Sequence, residues 1–182
     1  MLQPSRRAAS LLGSIAAIGL CSTTATALPA KGAVAPPSAK VVDVDERTLT
    51  LASLADRPAL VVYEDKDSRA ANAELKRELA ELVKREPTLA AVAARARADA
   101  SENNFWPAQG APRGPPRREQ KREGTTIWLD WTASFREALD LVKGSSNVVL
   151  LDRRGVVSFV AAGKLAETTR QALYQAMRQS VR

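Results

Sequence analysis

The side chains with chemical potential crowd into one short stretch. Glu64, Asp65, Asp67 and Ser68 follow directly on the apolar run Ala59–Tyr63. Neighbouring carboxylates can share acid and base roles when their surroundings separate their pKa values. They can also hold a cation. A plainer reading is that Asp67 or Ser68 caps a helix, its oxygen accepting a free first-turn N–H, while Glu64, Asp65 and Asp67 form a solvated rim. The rest of the composition narrows the choice. The 182 residues include no histidine and one cysteine, Cys21. If the N-terminus is cleaved as argued below, the mature chain has neither. That excludes disulfides, thiol catalysis, Cys/His zinc sites and any His-based triad, and no cofactor or metal is expected.

The rim needs elements to hold it. Ala59–Tyr63 is short and β-branched enough for a buried strand. Beyond the turn, Ala71, Leu75, Leu79, Leu82 and Val83 share one face of a helix. Upstream, two alternating runs within 40–54 flank Asp45-Glu46-Arg47 and predict a β-hairpin, with Asp43, Asp45 and Glu46 solvated at its turn. Downstream, Thr88–Arg97 is expected as a strand, an assignment that leans on the resemblance given below. Thr125–Asp130 reads as another strand, with Trp128 and Trp131 as packing residues. Ser134 and Glu137 suggest a capping box for a helix over Phe135–Lys143, stopped by Gly144. Asn147–Leu151 and Val156–Ala161 form a hairpin around Asp152-Arg153-Arg154-Gly155, where Gly155 can take positive φ. A last helix is expected over Ala166–Gln179, with Ala172, Leu173, Ala176 and Met177 inward.

The N-terminus carries Arg6 and Arg7, then the ten-residue apolar run Leu11–Leu20, too short to span a bilayer. Ala25-Thr26-Ala27 fits a cleavage site. Residues 1–27 therefore read as a secretory signal peptide, with lipoprotein attachment at Cys21 and a twin-arginine route as minor alternatives. Export to a periplasm or the medium follows, with no transmembrane segment after cleavage. Residues 28–37 read as a flexible lead-in and 38–182 as one domain. The formal charge of +7 is moderate and serves solubility first. Residues 101–124 are a long basic insertion holding Arg113, Arg117, Arg118, Lys121 and Arg122. Its prolines are expected to keep it out of a helix. It reads either as a solvated loop or as an anion-binding one, with an anionic envelope component as partner and nucleic acid unexpected in an exported protein.

Three stretches together resemble the thioredoxin-like superfamily, in its TlpA-type and AhpC/TSA-type branch. They are TLTLASLADRPALVV, ALVVYEDKDSRAA and GSSNVVLLDRRGVVSF. The last, with the missing cysteines, looks most like the small periplasmic YtfJ-type proteins. The resemblance implies an α/β fold, a thioredoxin-like three-layer α/β/α sandwich with a mixed central sheet and an N-terminal β-hairpin. It also places Ser68 and Ala71 where that family carries its two redox cysteines, and Ser146 where it carries the adjoining cis-proline. A serine there has a far higher pKa than a thiol and cannot make or break a disulfide. The resemblance thus implies a redox-inactive scaffold that binds an unknown protein or small ligand, with non-thiol catalysis as an alternative.

Overall fold

The computed structural model describes residues 28–54, 56–92, 96–99, 118, 121 and 126–182. The signal-peptide reading falls on residues outside that set. So do Arg113, Arg117 and Arg122. The element order is β1 (Lys40–Asp43), β2 (Thr48–Thr50), a 3₁₀ turn (Leu51–Leu54), β3 (Ala59–Tyr63), α1 (Ala73–Arg85) and a second 3₁₀ turn (Pro87–Val92). β4 (Ala96–Asp99), β5 (Trp128–Asp130), α2 (Ser134–Ala138), β6 (Asn147–Leu151), β7 (Val157–Ala162) and α3 (Glu167–Ser180) follow. This is a mixed α/β architecture.

The strands form two ladders, β2-β1-β5-β4 and β3-β6-β7. Pairing is antiparallel except between β4 and β5, which run parallel. β4 lies beside β3, so the two ladders abut. Every residue of β3 and of β6 is buried. Continuous burial is what strands covered on both faces require, and it explains their near-unbroken Val and Leu content. The period of two sorts them. Ala59, Val61 and Tyr63, with Val149 and Leu151, meet Phe135, Leu139 and Leu141 around α2. Leu60 and Val62, with Val148 and Leu150, meet Leu75, Leu79 and Leu82 of α1 and Leu173 and Met177 of α3. The β layer is thus packed on both sides, and the expected apolar stripe of α1 faces it.

Several sequence expectations change. The first hairpin pairs as expected, but Asp43 is 2% exposed rather than solvated. Its Oδ1 accepts the N–H groups of Asp45 and Arg47 at 2.9 Å, and its Oδ2 accepts from the Arg47 guanidinium, so the carboxylate is the turn's internal brace. Residues 87–92 are 3₁₀ and the strand starts only at Ala96, because the alanines after Pro87 favour a helical turn. α2 is five residues long and has no side-chain cap of its own; Ala133, at φ 59°, precedes it. Asp130 serves instead, its Oδ2 accepting the Arg136 N–H at 3.0 Å. Asp140, at φ 49°, breaks the helical path before Lys143. Trp131 is exposed and Trp128 packs against the α2-side core. Arg118 and Lys121 take α-helical backbone.

Residues 28–37 run beside the β6–β7 turn. Gly32 N–H donates to Val157 O at 2.8 Å and Ala35 N–H to Gly155 O at 2.9 Å. Within that turn Gly155 has φ 73°, and Asp152 Oδ1 accepts the N–H groups of Arg154 and Val156.

Candidate functional site

The site is built where β3 ends and α1 begins. The helix starts at Ala73, five residues after Ser68, so neither Asp67 nor Ser68 caps it. The intervening residues form a series of tight turns instead. Asp65 Oδ1 accepts the N–H of Ser68 at 2.7 Å and of Asp67 at 3.1 Å, and Ser68 Oγ accepts the Asp65 N–H at 3.0 Å. This reciprocal exchange has the logic of a capping box, moved ahead of the helix proper. Partial burial pushes the Asp65 carboxyl up. The Ser68 hydroxyl and the backbone N–H groups of Ser68, Asp67 and Gly144 outweigh it and hold Asp65 below the usual range. The Gly144 contact ties this turn to the segment carrying Ser146.

Glu64 is not part of a rim. It is 1% exposed. Its Oε1 accepts the Ser146 hydroxyl at 3.0 Å and its Oε2 accepts Lys76 Nζ at 2.9 Å. Lys76 reaches up from the first turn of α1 and also donates to Arg69 O at 2.6 Å. Ser146, fully buried, accepts in turn from Asn72 Nδ2 at 2.8 Å. Asn72 holds the helix N-cap position, yet its side chain reaches across the fold. Nδ2 also donates to Gly163 O at 2.8 Å and Oδ1 accepts the Leu165 N–H at 2.9 Å. Gly163 N–H closes the circuit on Ser146 O at 2.8 Å. The ends of β3, β6 and β7 and the start of α1 are therefore joined through four side chains. Among the described residues no buried side-chain polar atom lacks a partner.

Of the three positions that the resemblance assigns to the redox motif, Ala71 donates its N–H to Ser68 O at 2.9 Å, and Ser146 is reached through neighbouring residues. Ser146 bonds the residue after Ala71, and Ser68 shares Asp65 with the Gly144 backbone. Ser68 is buried and Ala71 half-buried. Of the expected rim, Asp65 is half-buried and Asp67 exposed, with Lys66 and Arg69 exposed beside them. Among the described residues no group of three acidic, histidine or cysteine side chains is placed to hold a metal. Arg118 and Lys121 are exposed. Asn72 and Lys76 were not singled out in the sequence. The one signal for Asn72 was its cap-forming side chain just before the periodic residues.

No protein-family model matches the chain, and no curated protein matches it either. Solved structures do. A protein of Bacteroides thetaiotaomicron provisionally named a protein disulfide isomerase superposes with a TM-score of 0.63 at 18% identity, over 85% of this chain and 93% of that one. A PrxQ mutant from Xylella fastidiosa gives 0.63 at 9% identity, over 86% and 99%. A Chlorobium tepidum protein provisionally named the thiol:disulfide interchange protein DsbE gives 0.59 at 13% identity, over 85% and 99%. The likeness fixes the fold as thioredoxin-like.

Proposed function

We propose that the protein is an exported, redox-inactive thioredoxin-fold module that binds a protein or small ligand in the cell envelope, in a periplasm or outside the cell. One observation supports the reading: a hydrogen-bonded Glu64–Ser146–Asn72–Lys76 network occupies the strand ends next to Ser68 and Ala71, the positions that the resemblance assigns to the redox cysteines. The Ser146 hydroxyl is buried and hydrogen-bonded to Glu64, whose second oxygen is held by Lys76. Neither is placed to take a proton from a substrate. Residues 1–27 support export by their charge, apolar run and cleavage pattern. No described helix is long and apolar enough to cross a membrane.

The test is turnover. Purified mature protein should neither reduce insulin with a thiol reductant present nor consume hydrogen peroxide or an alkyl peroxide. Steady turnover in either assay would overturn the reading. A second reading assigns anion binding to the basic insertion and draws on the exposure of Arg118 and Lys121. It expects binding to anionic vesicles that weakens steeply with salt and is lost in R117A/R118A/K121A.

A further inference from the structure

The opposite end of β3 and β6 holds a cleft of about 330 Å³. It opens where Ala59 pairs with Leu151, four residues along the ladder from the Tyr63–Asn147 pair beside the buried network. Its floor is apolar: Leu51 and Leu54 of the 3₁₀ turn, with Leu151. Val34 adds a wall that is 69% exposed, high for a large apolar side chain. Charge is confined to the mouth. Asp152 is occupied by two backbone N–H groups and by Arg154 at 3.3 Å. Arg57 and Arg153 are exposed and pair with no carboxylate among the described residues; Arg153 donates only to Val181 O, at 3.2 Å. Their loops are tied together by the Asp56 N–H to Arg153 O bond at 3.1 Å. Asp56 is the one opposing charge at the mouth not engaged by a neighbour there. Two guanidiniums that no carboxylate pairs among the described residues, against the one carboxylate of Asp56, leave a positive rim over an apolar floor.

We propose that this cleft binds a single-chain anionic amphiphile of the medium-chain carboxylate class. The head group sits on Arg57 and Arg153, and the alkyl chain lies against Leu51, Leu54, Leu151 and Val34. Guanidinium forks match carboxylates in geometry as well as charge, and the volume lies at the small end of ligand pockets. The chain's own residues 1–27 carry Arg6 and Arg7 and no acid, the wrong charge for this rim. The site goes beyond the binding-module reading and stands whether or not the far end of the strands is redox-inactive.

Calorimetric titration of the full chain with sodium decanoate, below its micelle concentration, tests it. One saturable site is expected. Octanoate should bind roughly fifteenfold more weakly, since it lacks two methylenes and each buried methylene contributes about a fourfold factor. The exposed double change R57A/R153A should weaken decanoate at least tenfold while leaving 1-decanol unchanged, and D56N should tighten it. Ala52→Trp, on the exposed lip, should abolish both. Circular dichroism of R57A/R153A should match the wild type. Absence of saturable binding would overturn the proposal. So would binding indifferent to R57A/R153A and Ala52→Trp, or an equal loss of decanoate and decanol in the arginine variant.

Discussion

Glu64 shows how far a single side chain departs from its sequence context. A carboxylate in a polar turn reads as solvated, and at Asp67 that reading fits. Glu64 is buried because its partners arrive from elsewhere: Lys76 twelve residues on, Ser146 eighty-two residues on. Neither separation leaves a local signal. A buried ion pair is costly to break because the surviving charge stays desolvated. Lys76→Met should therefore cost about 3 kcal/mol, while Glu64→Gln, which removes the charge and keeps an acceptor for Ser146, should cost less. Adding Glu64→Gln to Lys76→Met should recover part of the loss. Urea unfolding of the four proteins measures this, and additive losses would contradict the pairing. The motif positions rest on an ungapped match of neighbouring residues. The partners that close the network were not, because they meet only in three dimensions.

At the scale of elements, legibility followed locality. β3, the apolar stripe of α1 from Leu75 onward and the β6–β7 hairpin emerged as read, since period and turn chemistry are properties of neighbouring residues; Ala71, expected on that stripe, lies in the turns before the helix starts at Ala73. The inward face of α3 emerged in part. Leu173 and Met177 are buried, but Ala172 is exposed, and Arg170 and Tyr174 are buried beside them. These two are polar by sequence and enter the interior through Glu78 of α1. Arg170 donates to both Glu78 oxygens at 3.0 and 3.2 Å, and the Tyr174 hydroxyl donates to the same carboxylate. Eight residues further along, Arg178 repeats the fork on Glu86 at 2.9 and 2.7 Å. The two helices on this side of the β layer are thus clasped by two carboxylate forks. Glu78→Gln should lower the thermal midpoint. Tyr174→Phe should then lower it further by less than it does in the wild type, because the hydroxyl has already lost its ionised acceptor. Differential scanning calorimetry of the cycle reads the coupling, and strict additivity would argue against a shared carboxylate.

The whole molecule responds to acid through carboxylates spread over its surface and turns. Glu78 is held below its ordinary 4.5 by the Tyr174 hydroxyl and then by Arg170. Asp43 and Asp152 are each pushed up by burial. The N–H and guanidinium groups of Arg47 outweigh that at Asp43, and the Val156 and Arg154 contacts outweigh it at Asp152, so both end below 3.8. Asp65 is lowered likewise. A carboxyl depressed by folding binds protons more readily in the unfolded chain. Its stabilisation is complete above the unfolded pKa and is lost as pH falls through the lower folded one. Charge works in the same direction. With 27 basic and 20 acidic side chains, protonating every carboxylate carries the net charge from +7 toward +27, and self-repulsion grows. Stability should therefore be nearly flat from pH 7 to about 5 and fall steeply below the ordinary carboxyl values. Added salt at pH 3 should restore part of the loss by screening repulsion, but not the part due to broken hydrogen bonds. Thermal unfolding followed by circular dichroism between pH 2.5 and 7, at low and high ionic strength, separates the two. A midpoint that rises on acidification would show that these carboxylates do not brace the fold, and full recovery by salt would assign the whole effect to net charge.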